Sequence, residues 1–397
     1  MPSDLLAGRL RGFGSTIFAE MTRLAERTGA INLGQGFPTE DGPAFLLAAA
    51  REAILSGANQ YPPCPGLPEL RAAVAGQRLV DQGTPYDPGS EVVITTGATE
   101  ALAAALIALC EPGDEVVVFE PYYDSYAACV AMAGGRRVPV LLRPDGGRFG
   151  FDPDELRAAI SPRTRLLLLN SPHNPTGKVF TREELHLLAA LCREHDLIAV
   201  TDEVYEHLTY DGARHETLAA LPGMRERTLV ISSAGKSFNV TGWKVGWACG
   251  PEPLVTAVRT AKQFLTFAGG TPFQAAVAAV LPDRHAWLAE LRSGLARRRD
   301  LLVDRLAAAG VTTYACEGTY FLQLDSRSLG YPDGERLCAD LAEQAGVVAI
   351  PSVAFYDREH AGRSLVRLAF CKREELLEDA AGRLAGFAAA TLATRKG

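Results

Sequence analysis

The chain is 397 residues long, 47% hydrophobic and 22% charged. That balance excludes a disordered or fibrous polypeptide and leaves ample apolar surface for a large core. A net charge of −7 argues against a general nucleic-acid binder, which needs a basic face. At ~150 residues per domain the length predicts two or three folding units. Met1–Gly14 lacks the apolar segment of a secretory signal. The most membrane-like stretch, Ala101–Cys110, is bounded by Glu100 and Glu111 and is about half the ~20 apolar residues of a span. The eight cysteines lie far apart with no C-x-x-C pair, so they read as reduced, buried thiols rather than a disulfide framework or zinc site. A cytoplasmic protein with no metal, membrane or nucleic-acid partner is expected.

From Glu91 to about Gly250, short β-branched runs alternate with longer helical patterns. Glu91–Thr96 predicts a strand, Thr99–Cys110 a helix, Glu115–Phe119 a strand and Arg165–Leu169 a strand buried on both faces. Thr181 with Glu184 three residues on forms a capping box that opens a helix running to about His195. Ile198–Thr201, Thr228–Ser232 and Val245–Cys249 supply further strands. This alternation predicts an α/β layer on a mostly parallel sheet. After Pro251 helices dominate to about Ala309, with Arg297-Arg298-Arg299 expected on a solvated face. Thr319–Leu324, a helix around Glu335–Gln344, Val347–Ile350, Leu365–Phe370 and a C-terminal helix then predict a smaller α+β unit.

Some motifs fail on inspection. Gly34-Gln35-Gly36 has Thr39 at the third glycine position of a dinucleotide fingerprint. Ala234-Gly235-Lys236-Ser237 lacks the upstream glycine of a P-loop, because position 230 is Val230. Ser233-Ala234-Gly235-Lys236 satisfies the S-x-x-K of penicillin-binding acyl transferases, but the only nearby S-x-N, Ser237-Phe238-Asn239, abuts it.

What remains is a set of polar residues just past the C-terminal ends of predicted strands, where α/β folds place function. They are Gly97-Ala98-Thr99, Asn170 to Gly177, Thr201 to Tyr205 and Ser232 to Lys236. In a parallel sheet these ends converge, so an Asn, an Asp, a Tyr and a Lys could meet there. Pyridoxal phosphate wants that set. Its aldehyde takes a lysine amine, its pyridine nitrogen a buried carboxylate, its phenolic oxygen hydrogen-bond donors, and its phosphate helix N-terminal amides with hydroxyl and basic groups.

Eight blocks in order carry a family resemblance: Ile31–Pro38 (INLGQGFP), Asn59–Pro63 (NQYPP), Glu120–Tyr126 (EPYYDSY), Asn170–Val179 (NSPHNPTGKV), Thr201–Tyr205 (TDEVY), Ser233–Trp247 (SAGKSFNVTGWKVGW), Gly318–Leu322 (GTYFL) and Val366–Lys372 (VRLAFCK). With them the chain resembles the fold-type I, pyridoxal-phosphate-dependent class I/II aminotransferases. The nearest branch is that of the kynurenine, glutamine and methionine transaminases, including actinobacterial N-succinyldiaminopimelate aminotransferases. The resemblance implies a large cofactor-binding α/β domain, 42–280, and a small α+β domain, 1–41 with 281–397. It also implies a homodimer with shared active sites.

Carried onto this sequence, Lys236 resembles the Schiff-base lysine and Asp202 the pyridinium partner, while Tyr205 and Asn174 match the groups on the phenolic oxygen. The Ala98 and Thr99 amides, Ser233 and Lys244 are expected on the phosphate, and Tyr123 stacked on the ring. Tyr61 matches a tyrosine that reaches the neighbouring subunit's phosphate. Arg367 resembles the arginine that grips the substrate α-carboxylate, with the Gly36 backbone and Asn174 beside it. Phe18 and Phe267 align with aromatics near the substrate side chain. Cys64 stands where the family pattern expects glycine, and Asn239 where it expects a small hydroxyl residue.

The implied function is ping-pong transfer of an amino group between an L-amino acid and a 2-oxo acid, with N-succinyldiaminopimelate or an aromatic or sulfur amino acid as donor. A pyridoxal-phosphate lyase, γ-substitution enzyme or oxidase on the same scaffold stays open, because the cofactor motifs are common to all of them.

Overall fold

The computed structural model describes residues 5–394; residues 1–4 of the N-terminal stretch read above lie outside it. Six predicted apolar runs and one further segment form the seven strands of one sheet: β1 (Val92–Thr96), β2 (Glu115–Glu120), β3 (Arg136–Leu141), β4 (Thr164–Asn170), β5 (Ile198–Asp202), β6 (Thr228–Ser233) and β7 (Val245–Cys249). Their order is β1-β7-β6-β5-β4-β2-β3, and only β7 runs antiparallel to its neighbours. β3 was not anticipated: its arginines and Pro139 mask the pattern, and proline is tolerated there because β3 is an edge strand.

Alternate residues of one strand serve opposite faces. Val93 of β1 packs with Leu102, Leu106 and Val258 of the helices Gly97–Leu109 and Glu252–Lys262. Its neighbours Val92 and Ile94 pack with Val74 and Val277 of the helices Pro68–Gln82 and Thr271–Val280. The capping box forms, with Thr181 accepting from the Glu184 amide and opening Arg182–Glu194.

A second sheet of three antiparallel strands, β8 (Phe321–Asp325), β9 (Ile350–Pro351) and β10 (Leu365–Ala369), is ordered β8-β10-β9. It shares a core with the helices His285–Ala308 and Glu374–Thr394. Ile31–Asn32 pairs in parallel with Val347–Val348, and the Ala369 amide donates to Leu33 O at 2.7 Å. These bonds hold the glycine-containing segment that follows beside β10.

The expected solvated arginine run is corrected. Arg297 is exposed, but Arg298 pairs with Glu40, and Arg299 is buried between Asp211 and Asp300. Three consecutive helix positions span most of a turn, so they cannot share one face.

Candidate active site

The C-terminal ends of β4, β5 and β6 lie side by side, placing Asn170, Asp202 and Ser233 along one edge. The reversed direction of β7 adds to this edge. Val245, where β7 starts, pairs with Thr96, where β1 ends, so Lys244 meets the start of the helix Gly97–Leu109. The approach is tight: a Cβ on Gly97 would lie 2.9 Å from Lys244 Cε, and one on Gly246 would lie 2.7 Å from the Ala98 nitrogen. Gly97 also has φ +73°, a conformation glycine adopts without strain. Lys244 itself takes the left-handed conformation at φ 55°, which costs a non-glycine residue about 1–2 kcal/mol.

These ends open into a cavity of about 370 Å³ lined by both sheets and by the segment after Asn32, within the size range of small-molecule sites. Lys236, Asp202, Tyr205, Asn174, Ala98, Thr99, Tyr123, Ser233, Lys244, Gly36, Arg367 and Phe18 all line it. Tyr61 and Phe267 do not. They are exposed and pack edge to face with each other, ring centroids 5.8 Å apart.

Lys236 rises from the short turn Ala234–Ser237, seated from behind by the Trp287 Nε1 donation to Ser237 O at 2.8 Å and by His207 Nδ1, 2.8 Å from Ser237 Oγ. Burial outweighs the opposing pull of Cys371 and Asp202 and brings its ammonium down to about 8. Asp202 is buried. Burial raises its carboxyl, against hydrogen bonds from Tyr126 Oη to Oδ2 at 2.6 Å and from the Val204 amide to Oδ1 at 3.3 Å.

Arg367 is fully buried yet forms no ion pair among the described residues. Nη1 donates to Asn174 Oδ1 at 3.0 Å and Nη2 to Gly34 O at 2.8 Å, while Nε has no partner. The rings of Phe321, Phe355 and Phe18 surround the guanidinium at 4.0, 4.9 and 5.3 Å. Burial lowers its pKa to about 10, so it stays charged at neutral pH. A buried cation left without a counter-charge is costly unless an anion arrives.

Sequence reasoning gave no role to Tyr126, Tyr320, Phe321 or Phe355. The first three lie inside quoted blocks, but a tyrosine or phenylalanine in an apolar run reads the same whether it fills a core or faces a site. Asn239 sits at φ 55°, a conformation asparagine tolerates. Cys64 offers its carbonyl to Lys262 Nζ at 2.9 Å.

Residues 28–384 match the family model described as aminotransferase class I and II. The chain is 53% identical over 388 residues to a probable N-succinyldiaminopimelate aminotransferase of Mycobacterium tuberculosis, covering 96% of this chain and 98% of that protein. A solved structure of N-succinyldiaminopimelate aminotransferase from that organism superposes with a TM-score of 0.94, covering 96% of this chain and 100% of that one at 53% identity. A methionine aminotransferase of Escherichia coli is 39% identical over 376 residues, 95% of this chain and 97% of the relative. With a site built where α/β sheets place chemistry and a match spanning nearly its whole length, the chain belongs to the class I and II aminotransferases and is an aminotransferase.

Proposed function

We propose that the chain binds pyridoxal 5′-phosphate in this cavity and uses it to exchange an amino group between an L-amino acid and a 2-oxo acid in two alternating half-reactions. One observation carries the reading: Lys236, Asp202 and the unpaired Arg367 converge on one cavity. The residues present fit the cofactor. The Gly97 turn has no room for a side chain beside Lys244, Asp202 is a buried carboxylate, and Arg367 Nε lacks a partner. When bound, the cofactor supplies a protonated ring that draws electrons from the substrate α-carbon.

The chain's own groups divide the remaining work. The amides of Ala98 and Thr99 at a helix N-terminus, Ser233 and Lys244 hold the phosphate. Asp202 keeps the ring nitrogen protonated, and its bond from Tyr126 orients it. Tyr123 stacks on the ring, and Tyr205 and Asn174 hold the phenolic oxygen. Lys236 is the amine for the aldehyde and carries the proton removed from the substrate α-carbon. Its lowered pKa leaves a usable neutral fraction near pH 7. Arg367 grips the α-carboxylate with Asn174 and the Gly36 backbone beside it, and Phe18 covers the substrate side chain.

Tyr61 and Phe267, outside the cavity of their own chain, are assigned to the partner's site in a homodimer. The division into a large domain, 42–280, and a small one, 1–41 with 281–397, is supported by the two separate sheets. A cytoplasmic location fits an enzyme of small soluble metabolites; separately, among the described residues no helix is long and apolar enough to cross a membrane.

The 53% identity to the mycobacterial protein favours N-succinyl-LL-diaminopimelate as donor with 2-oxoglutarate as acceptor. A panel of donors assayed against 2-oxoglutarate tests this. Glutamate should form only when both substrates are present, fastest with the succinylated donor, and the protein should carry a visible band that shifts on adding donor. A higher kcat/KM for methionine or an aromatic amino acid would reassign the donor. A purified chain that takes up no pyridoxal phosphate would overturn the whole reading.

A further inference from the structure

Tyr320, which no motif argument assigns, touches the amine of Lys236. Lys236 Nζ donates to Tyr320 Oη at 2.9 Å, and Tyr320 Oη donates to Gly36 O at 2.6 Å. A phenol has one proton to give. With that proton committed to the Gly36 carbonyl, the oxygen facing Lys236 can only accept.

We propose that Tyr320 is a positioning residue for the amine of Lys236: an acceptor-locked hydroxyl that fixes one N–H and so leaves the nitrogen lone pair turned to the cavity. This rests on the reading of Lys236 as the proton carrier. The surroundings are closely packed. Tyr320 is buried, and its ring packs edge to face on Tyr205 and Phe321 at 5.3 and 4.9 Å. Gly36 has no room for a side chain, since a Cβ there would lie 2.5 Å from Phe321 Cζ. Burial holds the Tyr320 phenol well above its ordinary pKa, so it remains protonated.

The choice of a phenol follows from the proton cycle. When a proton leaves the substrate α-carbon, the C–H electron pair stays with the substrate and the proton bonds to the Nζ lone pair. The nitrogen thus alternates between amine and ammonium, and in both it has an N–H to give Tyr320. A carboxylate in the same place would favour the ammonium and raise its pKa. A neutral acceptor orients the nitrogen in either state without trapping it in one.

Tyr320→Phe keeps the ring and removes only the hydroxyl. In the full-length enzyme loaded with pyridoxal phosphate, α-proton transfer in a single half-reaction should slow by about 10- to 100-fold. The deuterium isotope effect with an α-deuterated donor should rise, while the KM for the donor changes little. In cofactor-stripped protein, the visible band should grow more slowly on adding pyridoxal phosphate. The affinity for pyridoxamine phosphate, which has no aldehyde for the lysine, should hold.

An unchanged isotope effect and capture rate would overturn the proposal. So would weaker pyridoxamine phosphate binding together with a lowered Tm, which would mark Tyr320 as scaffold. If Tyr320→Phe does not fold, 3-fluorotyrosine at position 320, a weaker acceptor with the same shape, gives the same readout. Failure of the unmodified chain to capture the cofactor would instead overturn the reading of the site itself.

Discussion

Arg78 and Arg367 are both fully buried guanidinium groups, and they stand in opposite electrostatic states. Arg78 gives Nη1 to Glu206 at 2.7 Å and Nη2 to Glu203 at 2.9 Å. Glu203 also holds His215 at 3.0 Å and accepts from Thr217 at 2.6 Å, and Glu206 accepts from Ser232 at 2.6 Å. Burial works against the charge of Arg78, but its two carboxylates outweigh it and hold the pKa above the ordinary arginine value. Arg367 has backbone and amide oxygens and three aromatic rings but, among the described residues, no carboxylate at ion-pair distance, and burial lowers its pKa. Burial alone therefore does not separate scaffold from site. The missing ion pair is the difference that points to a site, because a buried cation without one is costly and an arriving anion would relieve that cost.

The contrast predicts that scaffold charges fail in stability and site charges fail in turnover. The largest effect is expected at Lys236. Lys236→Ala should lower turnover by roughly 10⁴-fold or more, since the nucleophile and the proton carrier are lost together. Denaturant midpoints should not fall, and the phosphate groups and Asp202 should still retain the cofactor. Near-normal transamination would remove Lys236 from the site.

Arg78→Met should do the reverse. It strands two buried carboxylates and should cost about 3–5 kcal/mol in urea unfolding, with far less effect on kcat/KM of the folded protein. A variant that unfolds like the wild type but fails to turn over would erase the distinction between the two arginines.

Arg367→Lys keeps a charge and loses the planar fork. It should lower kcat/KM by about 10- to 100-fold in both half-reactions, because donor and acceptor share the α-carboxylate. Cofactor absorbance should stay put. Lost stability with unchanged kcat/KM would make Arg367 scaffold like Arg78.

A further effect is a pH dependence. With the Lys236 ammonium brought down to about 8 by burial, an unfolded lysine still holds its proton to ~10.4. Between those values the unfolded state binds more protons, so this residue makes cofactor-free stability rise with pH; below about 8 both states are protonated and it adds no slope. Lys236→Met should therefore be more stable than the wild type at neutral pH, and the gap should narrow from about pH 8 upward. A gap that stays constant across that range would mean that the lysine titrates normally.

The strands β1, β2, β4, β5, β6 and β7 were legible because each is an apolar run between turn signals. β3 was not, because an edge strand can carry Arg136, Arg137 and Pro139 without penalty. Of the site, the residues whose chemistry is unusual for their place stood out: a lysine and an aspartate at strand ends, and an arginine inside the apolar run Leu365–Phe370. Tyr126, Tyr320 and Phe355 did not, because nothing in a sequence distinguishes an aromatic that fills a core from one that braces an acid or an amine.

By itself the sequence determined the α/β class, the order of six of the seven main-sheet strands and which polar side chains stand at strand ends, all of which follow from local pattern and side-chain type. Only the tertiary structure decided the rest. The antiparallel direction of β7 brings Lys244 onto the Gly97 turn, and the pairing of Ile31–Asn32 with Val347–Val348 carries Gly36 to Tyr320 and β10. The separation of Arg298 and Arg299 into different ion pairs was likewise settled by the fold. In each case the partner lies tens to hundreds of residues away, and strand direction, register and counter-charge exist only once the two segments have met.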